Sequence, residues 1–167
     1  MTIKRFEDLP VWQSAMDLGL RIYQLTTDSS FNQRGDLADQ LRRAALSVSS
    51  NIAEGFERGT TPELLMFLYI ARGSAGEVRS QLRFALQLPP LAHLQFPISD
   101  LIPLAESCSK QLYSWANSMQ NSDSVGQRHL NDSVLEAFTA KRRADAFLKK
   151  LQTLTPHLNP NQTNPND

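Results

Sequence analysis

One cysteine, Cys108, leaves the chain no internal disulfide, and its three scattered histidines, His93, His129 and His157, offer no metal-ligand spacing. Seventeen basic residues against seventeen acidic ones leave no net charge, so nothing in the overall balance demands an anionic partner. No window approaches the roughly 20 uninterrupted apolar residues that a membrane span requires. The mean hydropathy of −0.36 agrees with that. The opening stretch, residues 1–8, carries mixed charge and lacks the apolar region of a secretory signal, so the chain reads as cytoplasmic with no membrane partner. Strand-like alternation is missing throughout.

What the sequence does hold is helical periodicity. Hydrophobic residues make up 41% of the chain, enough to bury a core. Asp8 is a good N-cap and Pro10 suits a first turn, where its missing N–H costs nothing. Val11, Ala15, Leu18, Ile22 and Leu25 then form one apolar stripe, widened by Trp12, Met16 and Tyr23. Residues 29–35 read as a polar loop. A second helix is expected from Asp36 to Arg58, with Leu37, Leu41, Ala44, Val48 and Ile52 inward, a weak last turn at Gly55 and a stop at Gly59. Thr60, Pro62 and Glu63 form a capping-box start for a third helix. Its stripe of Leu64, Leu68, Ala71, Ala75, Val78, Leu82 and Ala85 ends at Pro89 and Pro90. Ile98, Leu101, Ala105, Cys108, Leu112, Trp115 and Met119 repeat the pattern in a fourth, where Cys108 is a small hydrophobe rather than a nucleophile.

These features predict an all-α chain, an antiparallel up-down-up-down four-helix bundle over residues 1–119. A linker, 120–131, and an amphipathic C-terminal helix, 132–154, would follow, with a disordered Asn/Pro tail at 155–167. The C-terminal helix carries Lys141, Arg142, Arg143, Lys149 and Lys150, a possible additional basic surface.

No nucleophile and base fall into a pairing that would support catalysis, and no cofactor is implied. The stretch Arg72-Gly73-Ser74-Ala75-Gly76-Glu77 has phosphate-loop composition, but it lies inside a helix with no strand before it. Its small residues read as sites of close helix approach. Arg72, Arg79 and Arg83, separated by seven and four, stack on one face of the third helix, and Arg42 and Arg43 add charge to the second. Asp39 and Glu54 are placed to pair with the second helix's arginines, whereas the third helix's stripe has fewer partners. Glu54 and Glu77 sit among small or apolar neighbours, and with Asn51, Ser74 and Gln81 they make a candidate polar network that would fix helix register.

Arg42-Arg43-Ala44-Ala45, Ser47-Val48, Asn51-Ile52-Ala53-Glu54-Gly55 and Arg58, followed by Phe67-Leu68, Ile70-Ala71, Gly73-Ser74, Glu77 and Gln81-Leu82, resemble the bacterial four helix bundle protein family. Phe6, Leu9, Val11-Trp12 and Ala15 fit the same pattern. That family includes proteins encoded in intervening sequences of large-subunit (23S) rRNA genes and, more distantly, the accessory variability determinant of diversity-generating retroelements. The resemblance covers about Phe6 to Met119; Ser49 and Asn32 depart from it, standing where proline is usual. It implies a four-helix protomer in a ring-shaped homopentamer. For the retroelement branch it implies binding of nucleic acid and of a reverse transcriptase. The expectation is a non-enzymatic homo-oligomer presenting Arg42, Arg43, Arg72, Arg79 and Arg83 to RNA or DNA. The alternative is a protein-interaction scaffold or accessory subunit that recruits a partner such as a reverse transcriptase.

Overall fold

The structure, a computed structural model, describes residues 4–121, without the side chains of residues 33–35. Most of the linker, the 132–154 helix with Lys141, Arg142, Arg143, Lys149 and Lys150, and the tail lie outside the described residues. Among the described residues every regular element is helical: α1 (Pro10–Leu25), α2 (Gly35–Glu57), α3 (Thr61–Ala85) and α4 (Gln95–Gln120). Short 3-10 helices at Phe6–Asp8, Ser29–Arg34 and Pro89–Leu94 precede α1, α2 and α4.

Cross-helix contacts fix the directions. Arg42 of α2 reaches Thr26 just beyond α1, while Phe56 at the other end of α2 meets Phe6 just before α1. Ser47 bonds Ser74, and Arg58 lies over Phe67, so α2 and α3 also run oppositely. Arg72 lies over Tyr113 and Gln120 bonds Tyr69, which sets α4 against α3. Gln111 bonds Ser14 and Arg21 pairs with Asp100, closing α4 back onto α1. Each helix therefore packs against two antiparallel neighbours, and the apolar stripes meet in the middle.

The stripes expected of α1 and α3 are buried along their whole length. In α2, Leu41, Ala44, Val48 and Ile52 are buried and Leu37 is partly so. In α4 the stripe holds through Leu112, after which Ala116 is buried and Trp115 and Met119 are only partly covered. A strict seven-residue repeat drifts on a straight helix of 3.6 residues per turn, so the last heptad rotates away from the axis of the bundle. Each fully buried leucine contributes about 1.5–3 kcal/mol of apolar burial.

Three local expectations are corrected. Asp8 belongs to the 3-10 turn and Leu9 is the N-cap of α1, with no side-chain cap bond. The stretch read as a polar loop after α1 is a 3-10 helix whose Phe31 is among the largest fully buried side chains. Gly73 and Gly76 are not points of close approach, because a Cβ at either would meet nothing within 4 Å. The close approach is at Gly55, where an added Cβ would lie 2.7 Å from the Cβ of Phe67. Gly73→Ala should therefore raise stability by about 0.8–1 kcal/mol through helix propensity alone, read as a higher urea midpoint at unchanged slope. A lower midpoint would mean that this face is covered by something other than solvent.

Helix α3 begins as its sequence suggested. Thr60 caps it, its hydroxyl oxygen accepting from the Glu63 N–H at 3.4 Å while the hydroxyl donates to Glu63 Oε2 at 2.6 Å. Pro103 lies within α4 without ending it.

Candidate nucleic-acid interface

The arginine face is built from one edge of α3 and the facing edge of α4. Spacings of seven and four keep Arg72, Arg79 and Arg83 on the side of α3 that turns toward α4. The guanidinium of Arg72 lies 4.8 Å from the centre of the Tyr113 ring, a cation–π contact that holds the charge on the surface rather than neutralising it. Arg79 and Arg83 act on Glu106 of α4, whose carboxyl is held below its ordinary range first by the Lys110 ammonium and then by these two arginines. Lys110 makes the direct pair with Glu106 at 2.7 Å. Neither Arg79 nor Arg83 has a carboxylate within 4.0 Å among the described residues. Three cations thus share one carboxylate, and Arg72 adds a fourth positive charge beyond it.

The other two predicted arginines are elsewhere. Helix α2 borders α1 and α3, so Arg42 and Arg43 lie away from the α3–α4 edge. Arg42 is engaged structurally: its Nε and Nη2 donate to the Thr26 hydroxyl and carbonyl, both at 2.8 Å, and its guanidinium lies 5.6 Å from the Tyr23 ring centre. It satisfies a carbonyl at the C-terminal end of α1, where a cation is also favoured by the helix dipole. Arg43 is exposed on the outer face of α2. The structure brings together Arg72, Arg79 and Arg83 but not all five.

The candidate polar network also divides. Ser47 and Ser74 bond at 2.8 Å across the α2–α3 interface, and Asn51 donates to the Ser47 carbonyl and hydroxyl at 2.7 and 2.9 Å. Asn51 and Ser74 are joined through Ser47, which was not among the candidates. Glu54 instead pairs with Arg58 on the surface, and Glu77 is exposed. Both fall one helical step to the solvent side of the interface. Gln81 reaches the interior, where its side-chain oxygen has no hydrogen-bond partner.

Two arrangements bear on catalysis. Burial pushes the Cys108 thiol up to about 11, so little nucleophilic thiolate forms near neutrality. Ser30, His93 and Asp28 cluster beside a cleft of about 430 Å³ at one end of the bundle, a combination that resembles a hydrolytic triad. However, the same nitrogen, His93 Nε2, faces both the Ser30 hydroxyl and the Asp28 carboxylate, each at 3.4 Å. A triad needs opposite ring nitrogens for its base and its orienting carboxylate, so this cluster does not relay a proton. Among the described residues no group of His, Cys, Asp and Glu could hold a metal ion, and no helix is long and apolar enough to cross a membrane.

The family of 23S rRNA-intervening sequence proteins matches residues 7–114, which take in α1, α2, α3 and α4 as far as Ser114, with Arg72, Arg79, Arg83, Glu106, Lys110 and Tyr113 among them. The chain belongs to that family. Among curated proteins none matches the sequence. A solved structure of a protein of unknown function from the S23 ribosomal protein family, from Bacteroides thetaiotaomicron, is similar with a TM-score of 0.55 and 18% identity. The likeness covers 64% of this chain and 97% of that one, and it carries the fold alone. For this 23S rRNA-intervening sequence family member, Tyr113 and Lys110 of the α3–α4 edge were missed in the sequence because they become neighbours of the arginines only when the hairpin closes, whereas Tyr69, three residues before Arg72 on α3, was legible by spacing and was passed over.

Proposed function

We propose that this member of the 23S rRNA-intervening sequence family is a non-catalytic nucleic-acid-binding protein whose α3–α4 edge holds phosphates with little sequence readout. The supporting observation is the imbalance at that edge: Arg79, Arg83 and Lys110 act on the single carboxylate of Glu106, and Arg72 adds a further positive charge over Tyr113. Cations so placed neutralise phosphate and release counterions, while a flush helical surface offers no element to enter a groove and read bases.

Binding of the nuclease-treated protein to a labelled RNA hairpin and a matched DNA duplex, titrated with salt, tests this. Four phosphate contacts per protomer give a log–log slope of about −3.5, or about a hundredfold loss of affinity between about 50 and about 200 mM salt. Replacing Arg72, Arg79 and Arg83 together by glutamine should flatten the slope by about 3 and weaken binding uniformly across sequences. A slope unmoved by the triple replacement would remove the phosphate role from this edge.

Assembly into a homopentamer is part of the same proposal, and a light-scattering mass of one chain, 18.8 kDa, would remove it. A second reading, a scaffold that recruits a protein partner such as a reverse transcriptase, draws support from Met66, Ile70 and Phe84. They are large, apolar and exposed on the outward side of α3, apart from the arginine edge.

A further inference from the structure

We infer that the ligand of the α3–α4 edge is a single strand of nucleic acid, with bases stacked at Tyr113 and Tyr69 while the arginines hold its phosphates. The inference rests on the phosphate-binding reading above and adds what that reading leaves open, the form of the polynucleotide.

Four features of the edge carry it. Tyr113 and Tyr69 are 53% and 42% exposed, which leaves part of each available to a flat partner. Both are held in place. Gln120 Nε2 donates to the Tyr69 hydroxyl at 2.8 Å, and the Arg72 guanidinium covers Tyr113 at 4.8 Å. A guanidinium lying on an aromatic ring is itself a platform on which an unpaired base stacks, so Arg72 can serve a base and a phosphate together. Cations and rings also follow one another along a straight line: Arg83 and Arg79, then Arg72 with Tyr113, then Tyr69.

That line spans fourteen residues of α3, about 21 Å at about 1.5 Å per residue. A duplex hides its base faces, so it would leave both tyrosines unused. Its phosphate rows also wind away from a straight helix, whereas a single strand can follow the edge end to end. Gly76 lies between Arg72 and Arg79 with open space where a Cβ would be, which lets a sugar–phosphate backbone come close to the helix.

The test uses the full chain, with oligo-uridylate and oligo-thymidylate of about twelve nucleotides as single strands and mixed-sequence RNA and DNA duplexes of equal length. Wild-type protein should bind the single strands at least tenfold more tightly than the duplexes. Tyr113→Leu should weaken single-strand binding about tenfold and duplex binding far less, with the number of cations and hence the salt slope kept. Tyr69→Leu should do the same to a smaller degree. Circular dichroism of these surface variants checks that they remain folded.

Equal or tighter duplex binding, with the tyrosine variants indifferent, would overturn the single-strand inference while the phosphate reading stands. Salt-independent binding, or none to any of the four probes, would overturn both.

Discussion

Gly55→Val should lower the stability of the bundle by about 3 kcal/mol or more, because the site has no room for even the first carbon of a side chain. A Cβ there would stand 2.7 Å from the Cβ of Phe67, 3.3 Å from Leu64 Cδ1 and 3.4 Å from the Leu64 carbonyl oxygen. The nearest obstacle is not the far end of a flexible side chain. Phe67 Cβ is bonded directly to the α3 backbone, so relief requires α2 and α3 to separate or the last turn of α2 to unwind. Separation would loosen the packing of Phe56 and Leu64, both buried close to this crossing. It would also disturb the Arg58 guanidinium, which lies over the Phe67 ring at 5.2 Å and bonds Glu54 at 2.5 Å. Gly55→Ala adds only the Cβ and should cost less, about 1–3 kcal/mol, because its gain in helix propensity offsets part of the strain. Urea unfolding followed by circular dichroism reads both, and a valine variant as stable as the parent would contradict the close approach.

This crossing also indicates how far the sequence could be read. The heptads of α3 and α4 announced both helices and their inward faces, since seven-residue spacing leaves few alternatives to a buried stripe. The same pattern placed Cys108 in the core, where the structure has it. Periodicity reports which way a side chain points but not what stands opposite, and the misreadings have that origin. Gly55 read as a weak turn when it is the point of contact, while Gly73 and Gly76 read as contact points when they face open space. Arg42 has the composition of a surface cation, yet it is occupied by Thr26, sixteen residues away.

For the candidate site, α3's contribution was legible and α4's was not. Arg72, Arg79 and Arg83 share a face by spacing alone. Their partners Glu106, Lys110 and Tyr113 depend on the register of the α3–α4 hairpin. That register is set by the 3-10 turn at Pro89–Leu94, where Leu91 is buried. The sequence marks that turn with two prolines but says little about how it aligns the helices it joins.

The connection between α1 and α2 holds the other large effect. Phe31→Ala should cost about 3–5 kcal/mol, the range for truncating a fully buried phenylalanine. Phe31 is 1% exposed although it belongs to a short 3-10 segment rather than to any of the four long helices. It is set inward by a compact turn: the Phe31 N–H donates to the Asp28 carbonyl at 3.0 Å, and the Ser30 N–H donates to Asp28 Oδ1 at 2.9 Å. That bond from Ser30 is the main reason the Asp28 carboxyl is held below its ordinary range, with the Ser30 hydroxyl and His93 contributing less. A carboxyl whose folded value is depressed contributes stability above its unfolded value, and the contribution fades as pH falls through the folded one. The turn therefore keeps its staple at neutral pH and loses it in acid.

Truncation leaves a ring-sized void at the end of the bundle, where α1 and α2 are joined by a tether too short to collapse freely into it. Phe31→Leu keeps most of the volume and should cost less than about 1.5 kcal/mol. Thermal or urea unfolding at neutral pH separates the two variants. If alanine and leucine fall together near the parent, Phe31 covers the bundle without filling it; a wide gap between them makes this residue the plug of the α1–α2 end.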